Sequence, residues 1–133
     1  MTDARVETVH EDRITAREFL AQAETLLADA GTRRLSTPAQ SLLAHQASVC
    51  ACDAILQAAG LRVTPGDGAH VVRIHAALDQ LDGDTEDLLD DLDASRERRN
   101  EASYAAMPVA EASASEAREA TAELIERARR FVG

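Results

Sequence analysis

The sequence predicts an all-α protein, an antiparallel bundle of four long helices and one short helix. Three observations carry that expectation. Alanine, the residue with the best intrinsic helix propensity, occupies 27 positions. Apolar residues recur three and four apart through five segments, each bounded by capping residues, glycine or proline. No segment sustains the period-two alternation of a half-buried strand.

The first long helix is announced by Thr15-Ala16-Arg17-Glu18, which has capping-box form. Ala16, Phe19, Ala23, Leu26, Leu27 and Ala30 then share a face until Gly31. Upstream, residues 1–12 with Val6 and Val9 are expected to be extended or to prolong this helix. Thr37-Pro38-Ala39-Gln40 opens the second helix with proline at its first position, and the helix runs to Ala59 before Gly60. Its apolar stripe is Leu42, His45, Val49, Cys52, Leu56 and Ala59. T-P-G-D-G, Thr64 to Gly68, is a turn by composition. A short helix with Val71, Ile74, Leu78 and Leu81 on one side ends near Gly83. The fourth helix begins about Thr85 and stops near Met107, because the ring of Pro108 disfavours helix at the residue before it. Ser113-Ala114-Ser115-Glu116 opens a last helix carrying Ala117, Ala120, Leu124, Ala128 and Phe131.

The whole, 1–133, reads as one domain, since this length builds one core and not two. No apolar run approaches the roughly 18 residues of a membrane span. M-T-D-A-R-V-E-T-V lacks a basic-then-apolar leader, so a cytoplasmic protein without a membrane partner is expected. Cys50 and Cys52 point to different sides of a helix and read as reduced thiols. With only Phe19, Tyr104 and Phe131 aromatic, the core is thin, and pairing into a homodimer would bury more apolar surface. The formal charge of -10 argues against loose nucleic-acid binding, which needs many basic contacts to phosphate. It leaves room for one local basic site.

That site is sought in S-R-E-R-R-N-E-A-S-Y, Ser95 to Tyr104, which follows the acid-and-leucine run from Asp82 to Asp93. On an ideal helix, 11 residues return to within about 20° of the starting direction. Arg99 therefore lies over Leu88 and Asn100 over Leu89, and the leucine stripe continues through Leu92 into Arg96, Arg99, Ser103 and Ala106. Arg98 lies off it. Acid early and arginine late also complement the helix dipole, and Arg96 can snorkel or pair with Glu97. Arg99 within a buried stripe requires satisfaction, either by a carboxylate of another helix or in a cleft open to a ligand. The pattern leaves both open.

The second helix with L-L-A-H-Q-A-S-V-C-A-C-D-A-I-L-Q-A-A-G, the turn, a short helix beginning G-A-H, and R-E-R-R-N-E-A-S-Y together resemble the HEPN domains of bacteria and archaea, over roughly Thr15 to Phe131. The resemblance implies an all-α homodimer that brings two arginine motifs toward a shared cleft. Many such domains are metal-independent endoribonucleases in toxin-antitoxin, phage-defence or CRISPR-associated settings. Their motif, an arginine, a polar residue and a histidine four to six residues on, carries over to Arg99 and Asn100, but Tyr104 stands where the histidine is expected. Histidine titrates near neutrality and tyrosine near pH about 10, so Tyr104 is a poor base. Arg99 can still hold a phosphate by a bidentate pair. The expectation is a module that binds a nucleotide or RNA phosphate, or a partner carboxylate, through Arg99, Asn100, Arg96, Ser103 and Tyr104, without efficient catalysis. The alternative is a weak or conditional endoribonuclease with Arg99, Tyr104 or His45 as catalytic candidates. The resemblance also implies a cognate antitoxin or nucleotidyltransferase as partner, although no histidine stands two residues before Tyr104, as tyrosine modification in that setting requires.

His45 lies on the second helix's stripe as a core residue or as a neighbour of the arginine cleft. His70 reads as a helix-start residue; it diverges from His75 by about 140°, so the two are no metal pair. The acid run lacks calcium-loop spacing, and there is no phosphate loop, nucleophile elbow or C-x-x-C. No metal and no cofactor is expected.

Overall fold

A computed structural model describes residues 5–105 and 110–133, the side chains of 98–105 excepted. Its elements run β1 (Val6–Thr8), α1 (Arg13–Ala30), α2 (Thr37–Ala59), β2 (Leu61–Val63), α3 (Ala69–Asp79), α4 (Glu86–Ala105) and α5 (Glu111–Val132). The chain is mainly helical. No described helix is long and apolar enough to cross a membrane.

Helix α2 is the centre of the molecule, packed against α1, α3, α4, α5 and β2. It is buried nearly all round, through Ala44, Ala47, Ala51, Cys52, Ala54, Ile55 and Leu56. Small side chains allow this. α1 offers Ala16, Ala23 and Ala30, each fully buried, and α5 offers Ala114, Ala120 and Ala128, so the larger Leu20, Ile55, Leu124, Ile125 and Val132 fill the space between close backbones. Leu88 and Leu92 of α4 and Ile74, Ala77 and Leu78 of α3 join the same core. Leu42, placed on the α2 stripe by its spacing, is instead 47% exposed, because the next residue, Leu43, faces the small cluster of Ala30, Ala44 and Ala117.

Of the two expectations for the N-terminal segment, Val6–Thr8 takes the extended one and does not prolong α1, and the small sheet it forms is an addition to the helices that no alternation in the sequence announces. β1 and β2 pair antiparallel, with Val6 opposite Val63 and Thr8 opposite Leu61, and Val6, Leu61 and Val63 pack on the core. Three residues are too few to show alternation, and the partners lie more than 50 positions apart, so no local signal announces them. Gly60 makes the junction. It ends α2 in the left-handed region at φ 71°, and its carbonyl accepts the Val9 amide at 2.8 Å. Arg5 donates to the Thr64 and Asp67 carbonyls and fixes the turn before α3.

Three helix starts also differ from their capping-box assignments. Asp12 caps α1 by accepting from Thr15 N at 2.9 Å, and Ser36 caps α2 by accepting from Ala39 N at 3.2 Å. α5 starts at Glu111 without a side-chain cap, earlier than Ser113. α1 and α5 thereby gain about one turn N-terminal to the expected cap, and α2 gains the single residue Thr37. At the other end of α3, Arg127 of α5 donates to the carbonyls of Asp82 and Asp84, both at 2.8 Å, and so pins the α3–α4 turn.

Candidate functional site

The leucine stripe of α4 behaves as its spacing implies. Leu88 and Leu92 are buried, and one turn on Arg96 continues the line with its side chain only 20% exposed. Arg99, Asn100, Ser103 and Tyr104 follow on the same helix, and their side chains lie outside the described residues. Arg96 is thus the member of the expected arginine set whose surroundings are defined.

Those surroundings are a cleft where α2, α3, α4 and α5 meet, walled by Ser41, His45, Ser48, Ser95, Arg96 and Thr121 over an apolar floor that includes Ile74 and Leu92. Its described walls enclose about 20 Å³. That is room for one water-sized group and not for a base or sugar. Arg96 reaches Glu97 at 4.0 Å, the outer limit of an ion pair, and Glu97 is 67% exposed, so this contact neutralises little. Arg96 Nε is buried with no hydrogen-bond partner among the described residues. A buried guanidinium N–H without a partner costs about 1–3 kcal/mol or more, the charge included.

Three of the hydroxyls around it are already used as donors. Ser48 donates to His45 O at 2.7 Å, Ser95 to Asp91 O at 2.9 Å and Thr121 to Ala44 O at 3.3 Å. They turn lone pairs toward the cleft until rotated, and the bonds they would give up are worth only about 1 kcal/mol each. The donors proper are the Arg96 guanidinium and a ring N–H of His45. A tetrahedral oxyanion edge at the mouth would meet a guanidinium fork and an imidazole, with hydroxyls able to swing toward it.

His45 is half-buried and so belongs to both of its expected settings, the α2 stripe and the arginine cleft. Its ring meets that of His70 edge to face, centroids 6.0 Å apart and planes at 66°. His70, expected as a simple helix-start residue, is the second residue of α3 and a neighbour of the site. Its Nδ1 is 3.3 Å from Arg73 Nη1, and Arg73 Nε is 3.2 Å from Asp53 Oδ1. The last contact is close but poorly aligned, since Arg73 Nε makes no hydrogen bond among the described residues. Burial raises the Asp53 carboxyl above the usual range, and Arg73 partly offsets this. The spacing His70-x-x-Arg73 is visible in the sequence as an i,i+3 pair. The cross-helix contacts to His45 and Asp53 leave no such trace.

His75, well apart in role, lies 3.8 Å from Asp93 of α4. Among the described residues no three histidine, cysteine or acidic side chains form a metal-sized group. A larger cleft of about 280 Å³ lies between α4 and α5, but Asp91, Glu116, Glu119 and Glu123 line it, and its field repels anions. Chemistry, not size, selects the Arg96 cleft. Comparison of the chain with protein-family models, with curated proteins and with solved structures finds no match in any of the three.

Proposed function

We propose that this chain is a HEPN-like helical module, acting as a homodimer, that holds a nucleotide or RNA phosphate, or a partner's carboxylate, at the arginines of α4 and does so without efficient catalysis. The observation that supports the reading is Arg96: a buried Nε without a hydrogen-bond partner among the described residues, on the α4 stripe, in one cleft with His45, one turn before Arg99 and Asn100. The cleft is small, so at most one phosphoryl oxygen enters it and the rest of the ligand stays at the mouth and outside. A charge-assisted hydrogen bond contributes about 1.5–3 kcal/mol, so losing one arginine weakens binding by roughly 10- to 100-fold. Fluorescence anisotropy with a labelled single-stranded RNA bearing a 5′-phosphate, in wild type, Arg96→Gln and Arg99→Gln, tests this. Equal affinity in all three ends the reading.

The second reading, a weak or conditional metal-independent endoribonuclease, is favoured by one feature, the imidazole of His45 beside the Arg96 guanidinium. It would supply the base that Tyr104 cannot. RNA cleavage by purified protein that disappears in His45→Gln supports it, and cleavage that survives Arg96→Gln and Arg99→Gln together removes it.

A further inference from the structure

Apart from the Arg96 cleft, a cavity of about 200 Å³ lies where α1, α2, β2 and α3 meet. That is the bulk of about seven waters, so it suits a molecule of fewer than about ten non-hydrogen atoms. Phe19, Leu56, Leu61 and Val63 make its apolar wall, all of them in the core or packed on it. Its polar wall is Asp53 and Gln57, one turn apart on α2, with Arg73 of α3. Arg62 also borders the cavity, but its guanidinium is mostly exposed and bonded to Glu7 on the neighbouring strand.

The polar wall holds two charges that do not satisfy each other. Asp53 Oδ1 and Arg73 Nε are 3.2 Å apart and both side chains are less than a third exposed, yet this Nε makes no hydrogen bond among the described residues. Burial raises the Asp53 carboxyl above its usual range, and Arg73 only partly offsets the shift. Arg73 Nη1 is engaged at His70 Nδ1, 3.3 Å away. The other edge of the fork, Nε with Nη2, is the one left to take a carboxylate bidentately. Buried charge so weakly compensated is costly, and the cavity beside it is where compensation can enter.

From this geometry we infer that the cavity is a binding site for a small free α-amino acid with an aliphatic side chain. Such a molecule carries its ammonium and carboxylate on adjacent carbons, so the partners of the two must stand side by side, as Asp53 Oδ1 and Arg73 Nε do. The ammonium goes to the Asp53 carboxylate and the side-chain amide of Gln57, the carboxylate to the Nε–Nη2 edge of Arg73, and the side chain to the apolar wall. A plain amine would set its charge against Arg73, and a plain carboxylate would set its own against Asp53. A zwitterion answers both. The inference is independent of the phosphate reading at Arg96.

L-leucine is the probe, at pH about 6.5, where its amine and that of its amide are charged. Calorimetric titration of the full chain should give saturable binding of one leucine. On the wild-type protein, leucinamide, which lacks the carboxylate, and 4-methylpentanoate, which lacks the ammonium, should each bind at least roughly tenfold more weakly, and glycine, without the side chain, about 100-fold more weakly. Asp53→Asn and Arg73→Lys, the second keeping the charge without the fork, should each weaken leucine binding by roughly tenfold, with helix content checked by circular dichroism. The analogue series needs only the wild-type chain and so decides the matter even where a variant fails to fold. No saturable binding of leucine overturns the inference, as does leucinamide or 4-methylpentanoate bound as tightly as leucine, or a folded Asp53→Asn protein with wild-type affinity. None of these outcomes bears on RNA binding at Arg96.

Discussion

Replacing Gly60 by alanine attacks the junction between α2 and the small sheet. The residue sits at φ 71°, where an L side chain costs about 1–2 kcal/mol. A Cβ built there lies 2.7 Å from Val9 O and 3.2 Å from Glu11 N, both backbone atoms that cannot rotate away. The chain between β1 and α1 must therefore retreat, and it is held by Val9 N to Gly60 O at 2.8 Å and Asp12 N to Gln57 O at 2.9 Å, each worth about 1 kcal/mol. Against these stands the smaller entropy of an unfolded alanine chain, about 0.4–1 kcal/mol in favour of the variant. The balance is a loss of about 2–4 kcal/mol, which urea titration followed by circular dichroism would read as a midpoint lower by roughly 1–2 M. Gly31→Ala is the internal control: its φ is -83° and the nearest atom to a Cβ is 3.5 Å away, so it should stay within about 0.5 kcal/mol of wild type. A Gly60→Ala protein as stable as that control would refute the account of the junction.

Two further predictions concern the core. Leu124→Ala should cost about 2–5 kcal/mol, since Leu124 is fully buried between α5 and α2, whereas Thr121→Val, one turn away, should cost less than about 1.5 kcal/mol because it removes a single long bond to a carbonyl already serving its own helix. Burial pushes the Cys52 thiol from 9.0 up to about 12, so the unfolded chain releases this proton first and stability falls as pH rises from 9 toward 12, by up to about 4 kcal/mol; thermal melts across that window should show the fall in wild type and lose most of it in Cys52→Ala.

The helices were legible because each is written locally. Gly31 and Gly60 stop α1 and α2 where the apolar spacing ends, and Leu88, Leu92 and Arg96 fall on one line by the wheel alone. The starts of α1 and α2 lie three residues and one residue before the expected caps because Asp12 and Ser36 can cap as well as Thr15 and Thr37, and propensity does not rank two nearby candidates. The sheet was illegible, since its strands are three residues each and their partners lie more than 50 positions apart. At the site, periodicity left the setting of His45 open, and the place of Arg96 on the line of Leu88 and Leu92 followed from it. His70, Arg73 and Asp53 did not, because which face of α3 meets α2 is decided by how Ile74, Ala77 and Leu78 pack and not by the polar residues themselves.

The little sheet does more than close an edge. Arg5 grips the loop at Thr64 and Asp67, and Thr64 N in turn bonds to Arg5 O at 2.8 Å, so the segment before α1 and the start of α3 are laced together. Neither can loosen alone. Amide exchange at Val9 and Thr64 should then proceed at one shared rate, slower than fraying and faster than global unfolding, and each such opening would also release the helix that carries His70.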